Sequence, residues 1–201
     1  MQVRCALVGM PGSGKSTVGK QLAQRLGVPF IDLDHQLELV LKTSIRNFFE
    51  TEGEARFRDL EAQVLADTTA QPGGMVLSTG GGAVLRPENR EVLRQFGNVL
   101  YLRASPEEIF KRVKHDRTRP LLQVGNPLHR LRELYAQRDT LYRDTATYVI
   151  ETGRPTVHTL VNMIMMQLEM AQGAQEPQVP QDPSGTADAP TPLGKPHAEG
   201  F

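Results

Sequence analysis

The chain has 201 residues, of which 39% are hydrophobic and 23% are charged, enough apolar sequence for one domain with a buried core. Its 23 Lys and Arg residues balance 23 Asp and Glu residues, which argues against a general nucleic-acid binder. The single cysteine, Cys5, excludes an internal disulfide and a cysteine-rich zinc site, and no apolar run reaches the roughly 18 residues of a membrane helix.

Short apolar runs alternate with amphipathic stretches along most of the chain. In chain order they predict strand 3–8, helix 15–26, strand 29–33, helices 35–41, 45–49 and 54–68, strand 75–78, helix 87–95, strand 99–102, helices 106–114 and 127–143, strand 148–151 and helix 156–170. Ser105 begins one helix in a Ser-Pro-Glu-Glu sequence typical of a capping box. Strands interleaved with helices predict an α/β protein with a five-stranded parallel sheet covered on both faces.

The composition changes near residue 172. Residues 172–201 contain six of the fourteen prolines, few large apolar residues and a net charge of −3, which leaves +3 for the rest of the chain. Such a segment cannot bury enough apolar surface to offset the entropy lost on ordering it. We therefore predict a folded domain over residues 1–171 and a disordered, proline-rich tail over residues 172–201.

Residues 9–16, GMPGSGKS, fit the pattern G-x-x-x-x-G-K-[ST] between a predicted strand and a predicted helix. The glycines allow backbone N–H groups to surround a phosphate, and the helix N-terminus adds the positive end of its dipole. Lys15 would place its charge on the β- and γ-phosphates, and Ser16 would offer a hydroxyl ligand to Mg²⁺. The motif predicts a nucleoside triphosphate site but does not distinguish a kinase from a GTPase or an ATPase.

Asp32 and Asp34 end the second predicted strand, in the sequence FIDLD. Carboxylates at i and i+2 leave a strand on the same side, at the edge where open α/β sheets bind ligands. One carboxylate would serve the magnesium through water and the other would hold a substrate hydroxyl. Asp34 alone fits a helix cap equally well. The neighbouring P-loop favours the functional interpretation.

Three further segments carry candidate residues: GEARFR at 53–58, STGGGA at 78–83 and DRTRPLL at 116–122. Arg58 pairs in sequence with Glu54 and Glu61, a pattern that by itself indicates only ion pairs on a solvated helix face. Three glycines after a strand allow close approach of a ligand to the backbone. The third segment is typical of a mobile lid, and a lid arginine can stabilise a transferring phosphoryl group.

Taken together, GMPGSGKST, FIDLD, GEARFR, TGGGAV, RTRPLL and RDTLYR resemble the shikimate kinase family in order and spacing, over about residues 3–170. The resemblance implies the P-loop fold of the nucleoside-monophosphate-kinase group, a three-layer α/β/α sandwich with strand order 2-3-1-4-5 and a small lid at about residues 115–125. It also implies transfer of the γ-phosphoryl group of ATP to the 3-hydroxyl of shikimate, giving shikimate 3-phosphate and ADP in the pathway to chorismate and aromatic amino acids.

The resemblance also assigns roles to individual residues. Catalytic roles fall on Lys15, Asp34 and Arg119. The Mg²⁺ cofactor falls on Ser16 and, through water, on Asp32. Shikimate binding falls on Asp34, Arg58, Gly81 and Arg138. ATP binding falls on Gly12, Ser13, Gly14, Lys15, Ser16, Thr17, Arg112, Arg119, Arg154 and Pro155. Base catalysis by Asp34 is a hypothesis, because phosphoryl transfer depends mostly on positioning and electrostatics.

We expect a cytoplasmic monomer whose partners are the small molecules ATP and shikimate, with no nucleic-acid or membrane partner. Two alternatives stay open: another kinase of the same group, acting on gluconate or a nucleotide, and a nucleotide-dependent switch without a small acceptor. Arginines suited to a carboxylate, together with the Gly-Gly-Gly turn, favour shikimate over nucleotides. A GTP switch would need a base-reading N-K-x-D element, and the sequence has no clear one.

Overall fold

The computed structural model describes residues 3–114 and 126–173, with side chains up to residue 170. The predicted lid at about residues 115–125, including Arg119, lies outside the described residues, as do residues 174–201 of the predicted tail. None of the helices in the described ranges combines the length and hydropathy needed to span a membrane.

One parallel sheet occupies the centre of the described chain. Its strands are β1 (Arg4–Val8), β2 (Phe30–Asp32), β3 (Met75–Ser78), β4 (Asn98–Arg103) and β5 (Tyr148–Glu151). They are ordered β2-β3-β1-β4-β5, and every neighbouring pair is parallel, which confirms the predicted sheet and strand order. The connections after β1 and β3 run to opposite sides of the sheet, so the edge between these two strands is a topological switch point, where ligands bind in such folds.

Seven α-helices connect the strands of the described chain. They are α1 (Lys15–Leu26), α2 (Leu33–Leu41), α3 (Ile45–Ala70), α4 (Pro87–Phe96), α5 (Pro106–Val113), α6 (Pro127–Thr145) and α7 (Val157–Gly173). A short 3₁₀ helix over Ala83–Leu85, which the sequence did not predict, precedes α4. The backbone of α7 continues to residue 173 and so extends two residues into the predicted tail.

The long helix α3 corrects one prediction. The segments predicted as separate helices at 45–49 and 54–68 lie in one element that is kinked at Gly53, with φ 82° and ψ 170°. This is a left-handed backbone conformation that glycine adopts without the penalty of a Cβ. The kink divides α3 into two parts, and the second part carries Arg58 and Glu61 toward the sheet edge.

The two faces of the sheet bury separate hydrophobic clusters, which confirms the three-layer sandwich. One face packs Ala6, Leu77 and Tyr101 against α2–α6, and the other packs Leu7 and Leu100 against α1 and α7. Parallel strands buried on both faces have near-continuous apolar sequences, as the sequence predicted. Cys5 lies fully inside the second cluster, and burial raises the pKa of its thiol to about 12, so it is an unreactive core residue.

Candidate active site

The P-loop leaves the carboxyl end of β1 and bends around an open space. Gly9, Gly12 and Gly14 have φ angles of 144°, 82° and 98°, in the region that favours glycine. The glycine spacing of the motif is therefore a requirement of the backbone. Lys15, the first residue of α1, is buried, and its Nζ donates hydrogen bonds to the carbonyls of Gly9 at 2.9 Å and Met10 at 3.0 Å. The ammonium group is thus held over its own loop.

Ser16 and Asp32 join the P-loop to the end of β2. The Ser16 hydroxyl donates to Asp32 Oδ2 at 2.7 Å, and Asp32 Oδ1 accepts from the Asp34 backbone N–H at 3.1 Å. Asp32 is therefore the N-cap of α2, and the alternative that made Asp34 the cap was wrong. The cap begins α2 at Leu33, two residues before its predicted start. Asp34 in the first helical turn is left free for other interactions.

Asp34 lines the cavity in front of the P-loop and is open to solvent through it. The cavity walls still displace water around the carboxyl group, and this desolvation raises the pKa of Asp34 to about 6. The Lys15 ammonium opposes the rise, whereas the neighbouring carboxylates of Asp32 and Glu61 add to it. At neutral pH Asp34 is mostly ionised, with a pKa close enough to the working pH to accept a proton.

Arg58 lies in a buried ion pair and not on a solvated helix face. Its Nη1 donates to Glu61 Oε2 at 2.6 Å, and the two side chains are 13% and 1% exposed. Glu54 adds a second carboxylate at 3.2 Å, and the guanidinium stands 5.2 Å from the ring centroid of Phe57. Burial raises the pKa of Glu61, and the charge of Arg58 opposes the rise. The guanidinium is therefore held on two sides, and the simple surface interpretation was wrong.

The glycine turn (residues 80–82) follows β3 and passes between the P-loop and the arginines. A Cβ at Gly80 would lie 2.6 Å from Asp34 Oδ1 and 3.2 Å from Glu61 Oε1, so these two carboxylates flank the turn. A Cβ at Gly82 would collide with the Arg58 guanidinium. Side chains at these positions would displace the groups predicted to bind substrate, which explains why the turn consists of glycines.

Arg138 approaches the same turn from α6. Its Nη1 donates to the Gly81 carbonyl at 3.1 Å, and the Tyr142 hydroxyl donates to the same oxygen at 2.5 Å. Within the described residues, Arg138 Nε is buried and has no hydrogen-bond partner. Gly81 also packs on the P-loop, since a Cβ there would lie 2.7 Å from Pro11 Cδ. Gly81 and Arg138 are thus brought together beside the P-loop.

The residues predicted to hold adenine lie beside one another on the other flank of the P-loop. Arg112, in the last turn of α5, donates to the Ser13 carbonyl at 3.4 Å and to the hydroxyl of Thr152 at 3.3 Å. A further hydrogen bond joins Arg112 to the Thr152 carbonyl. Arg154 is exposed and Pro155 is partly buried, in the turn that follows Thr152. The Arg112 guanidinium therefore connects the P-loop to the turn that carries Arg154 and Pro155.

One cavity of about 520 Å³ is lined both by residues predicted to bind ATP and by residues predicted to bind shikimate. Its walls include the P-loop through Thr17, the two aspartates after β2, Gly81 and Arg112. Arg58 and Arg138 do not line this cavity; they contact the glycine turn, Arg58 beside Gly82 and Arg138 through the Gly81 carbonyl. Arg119 is the one predicted site residue whose position the described residues leave untested.

Sequence reasoning missed the roles of three residues. Tyr142 is four residues after Arg138, so helical spacing places both on one face of α6, and this signal was available. Glu61 was identified as an ion-pair partner, but its burial was not predicted. Thr152 is buried and accepts hydrogen bonds from Arg112, and no local sequence pattern predicts this role.

Comparison with known proteins identifies the relatives of this chain. A model of the shikimate kinase family matches residues 11–169. The shikimate kinase of Paracidovorax citrulli is 58% identical over 172 residues, covering 85% of this chain and 94% of that protein. The shikimate kinase of Ralstonia nicotianae is 55% identical over 164 residues, covering 82% and 86%.

Solved structures agree with the sequence comparison. The shikimate kinase from Acinetobacter baumannii, solved in complex with shikimate, has a TM-score of 0.79 and 43% identity, and the match covers 86% of this chain and 95% of that one. A gluconokinase from Sinorhizobium meliloti has a TM-score of 0.58 at 17% identity, which shows a shared fold alone.

Proposed function

The chain belongs to the shikimate kinase family, and from that membership we propose which of its residues bind the two substrates and transfer the phosphoryl group. The enzyme transfers the γ-phosphoryl group of ATP to the 3-hydroxyl of shikimate, giving shikimate 3-phosphate and ADP, on the route to chorismate and aromatic amino acids. One observation carries the residue assignments: the P-loop, Asp34 and the glycine turn meet at a single cavity.

ATP binds along the P-loop in this proposal. Backbone N–H groups of residues 12–17 and the N-terminus of α1 surround the β- and γ-phosphates. Lys15 shifts from its loop carbonyls toward the phosphate oxygens, where its charge stabilises the transferring group. Arg112 supports the adenine end by holding Thr152 against Ser13, and Arg154 and Pro155 provide the surface of that end.

The residues at the end of β2 fit a magnesium ion. The Ser16 hydroxyl and the Asp32 carboxylate are hard oxygen donors 2.7 Å apart beside the P-loop. In the described part of the chain, no group of three or more His, Cys, Asp or Glu residues could hold a metal ion. A Mg²⁺ ion at Ser16 and Asp32 would therefore take most of its ligands from phosphate oxygens and water. Mg²⁺ held by Ser16 directly and Asp32 through water would neutralise charge on the phosphates.

Shikimate binds on the other side of the same cavity. Arg58 and Arg138 supply planar forks of N–H donors that suit its carboxylate. Asp34 accepts a hydrogen bond from a ring hydroxyl, and Gly81 brings its backbone against the ring. The buried Arg138 Nε, which lacks a partner in the described chain, supports this assignment, because an unsatisfied buried donor is costly unless a ligand completes it.

The reaction is an in-line displacement at the γ-phosphorus. The 3-hydroxyl oxygen of shikimate forms the new P–O bond while the bond to the β–γ bridging oxygen breaks and ADP leaves. Asp34 orients this hydroxyl and accepts its proton, a role that its pKa of about 6 supports. Arg119 closes over the phosphates as a lid arginine and stabilises the charge that develops there. The remaining groups position the reactants.

The enzyme works as a cytoplasmic monomer in this proposal. The residues assigned to both substrates belong to one chain, which supports a complete site in each copy. Its use of ATP supports a cytoplasmic location. Sedimentation of the purified protein tests the first statement, since a stable dimer would contradict it.

An acceptor panel tests the function directly. We expect ADP release from ATP and Mg²⁺ to depend on shikimate and to stay at background with gluconate, AMP or no acceptor. Release with gluconate or AMP instead would contradict the assigned acceptor.

A matched pair of arginines on α3 tests the acceptor site in the same assay. Arg58→Ala should remove shikimate-dependent release, because it deletes a carboxylate donor. Arg56→Ala is the control: Arg56 is 69% exposed and pairs only at 3.4 Å with Glu52, among the described ion pairs, so its loss should leave turnover within twofold. Equal turnover of the two variants would remove Arg58 from the site.

A further inference from the structure

Tyr142 is a buried polar residue that the assigned chemistry does not use. It lies on α6, its side chain is fully enclosed, and its hydroxyl donates to the Gly81 carbonyl at 2.5 Å. Arg138 Nη1 donates to the same oxygen at 3.1 Å. Burial raises the pKa of Tyr142 to about 12, with Arg138 opposing the rise, so the phenol is a permanent donor at any working pH.

The shared carbonyl fixes both the turn and the arginine. A carbonyl oxygen has two lone pairs, and these two donors occupy both. The Arg138 Nη1 donor is bound to this oxygen, so the Nε edge of the guanidinium is the one directed to another acceptor. Arg138 Nε is also the donor of this side chain that lacks a partner in the described chain. Without the Tyr142 hydroxyl, one lone pair of the Gly81 carbonyl loses its donor, and the Arg138 Nη1 hydrogen bond alone fixes the carbonyl and the guanidinium against each other.

The residue that carries this oxygen also forms the contact between the shikimate side and the ATP side of the proposed site. Gly81 packs so closely on Pro11 of the P-loop that a Cβ would lie 2.7 Å from Pro11 Cδ and 2.9 Å from its Cγ. The position of the Gly81 peptide therefore sets the distance between a bound acceptor and the phosphate loop. A hydrogen bond that fixes this peptide aligns the two substrates.

We propose that Tyr142 is a positioning residue for phosphoryl transfer: through the Gly81 carbonyl it holds the glycine turn and the Arg138 guanidinium in the orientation that receives the acceptor carboxylate beside the P-loop. The proposal rests on the assignment of Arg138 and Gly81 to the acceptor site. Tyr142 itself does not contact either substrate.

Tyr142→Phe tests the proposal, because it removes one hydroxyl and keeps the buried ring. We expect KM for shikimate to rise about tenfold, as for loss of a hydrogen bond that leaves a buried acceptor unsatisfied. We expect kcat to fall about tenfold, since a small misplacement of the acceptor slows transfer. KM for ATP should stay within twofold. Calorimetric titration of shikimate at 10 °C provides a second measurement if the variant is too unstable for the assay.

Tyr101→Phe is the matched control. Tyr101 is also fully buried, its ring centroid stands 4.9 Å from that of Tyr142, and its hydroxyl donates to Asp139 Oδ1 at 2.7 Å instead of to the Gly81 carbonyl. We expect Tyr101→Phe to lower Tm by a similar amount and to leave both KM values within twofold. Equal rises of KM for shikimate in the two variants would show that any lost buried hydroxyl weakens the packing around the site, and would overturn the proposal. Wild-type KM and kcat in Tyr142→Phe would overturn it as well.

Arg138→Ala separates this inference from the assignment beneath it. If Arg138→Ala keeps the wild-type KM for shikimate, the acceptor assignment fails and the inference fails with it. If Arg138→Ala loses shikimate affinity while Tyr142→Phe behaves as wild type, only the role of Tyr142 is refuted.

Discussion

Gly80→Ala is the substitution whose effect follows most directly from the geometry of the site. The new Cβ would lie 2.6 Å from Asp34 Oδ1 and 3.2 Å from Glu61 Oε1. Ordinary contact begins at 3.4 Å, so the Asp34 carboxylate must retreat by about 0.8 Å. Both clashing atoms are the ends of flexible side chains, so the fold itself is not obstructed.

The expected result is a loss of activity with little loss of stability. Displacing a catalytic group by about 1 Å can cost about 100-fold in rate, so kcat/KM for shikimate should fall roughly 30- to 100-fold. The φ of Gly80 does not lie in the positive region, and replacing glycine at such a position stabilises by about 0.4–1 kcal/mol through the unfolded chain, which offsets the clash. The free energy of unfolding in urea should therefore stay within about 1 kcal/mol of wild type.

Gly27→Ala is the control with the opposite pattern. Gly27 ends α1 with φ 65°, and a Cβ there would meet nothing within 4 Å. The left-handed conformation should cost about 1–2 kcal/mol of stability while shikimate-dependent ADP release is unchanged. If Gly80→Ala keeps kcat/KM within twofold of wild type, the placement of Asp34 beside the glycine turn has no part in turnover.

Asp34, Glu61 and Ser105 give four more predictions. Asp34→Asn should lower kcat at least 100-fold if Asp34 is the base, and turnover within a few-fold of wild type would exclude that role. Folding raises the pKa of Asp34 from 3.8 to about 6, so the wild-type protein loses stability as the pH rises through this window. The Asn side chain does not ionise, and the Tm of Asp34→Asn should therefore overtake that of wild type between about pH 4 and 7. Parallel curves of Tm against pH would contradict this prediction. Glu61→Gln should raise KM for shikimate, since Arg58 loses its buried charged partner; an unchanged KM would separate the pair from binding. Ser105→Ala removes the capping box of α5 and should cost about 1 kcal/mol in urea unfolding without altering turnover; a loss of activity at wild-type stability would show a different role.

The sequence predicted the sheet and the P-loop well, because both depend on local rules. The P-loop spacing reflects backbone angles that only glycine adopts easily at Gly9, Gly12 and Gly14. A parallel strand buried on both faces leaves a continuous apolar run, so β3 was predicted with its observed bounds. The edge strand β5 was also predicted with its observed bounds, although it is only partly buried. The strand order came from the family resemblance, and the structure confirms it.

Features that depend on distant packing could not be predicted. Arg58 and Glu61 form an i, i+3 pair that is common on solvated helices, and only the glycine turn from β3 shows that this pair is enclosed. The sequence offered Asp34 as a cap, whereas Asp32 is the N-cap in the structure, and a hydrogen bond from the Ser16 hydroxyl of the P-loop helps to fix it there. The lid, the tail and Arg119 remain predictions.

A crystal structure of the protein with bound shikimate would locate each substrate group against the residues assigned to it. We expect the shikimate carboxylate between Arg58 and Arg138, its ring against Gly81 and its 3-hydroxyl within hydrogen-bond distance of Asp34. Shikimate bound with its carboxylate away from both arginines, or with its 3-hydroxyl turned from Asp34, would refute the assigned acceptor site.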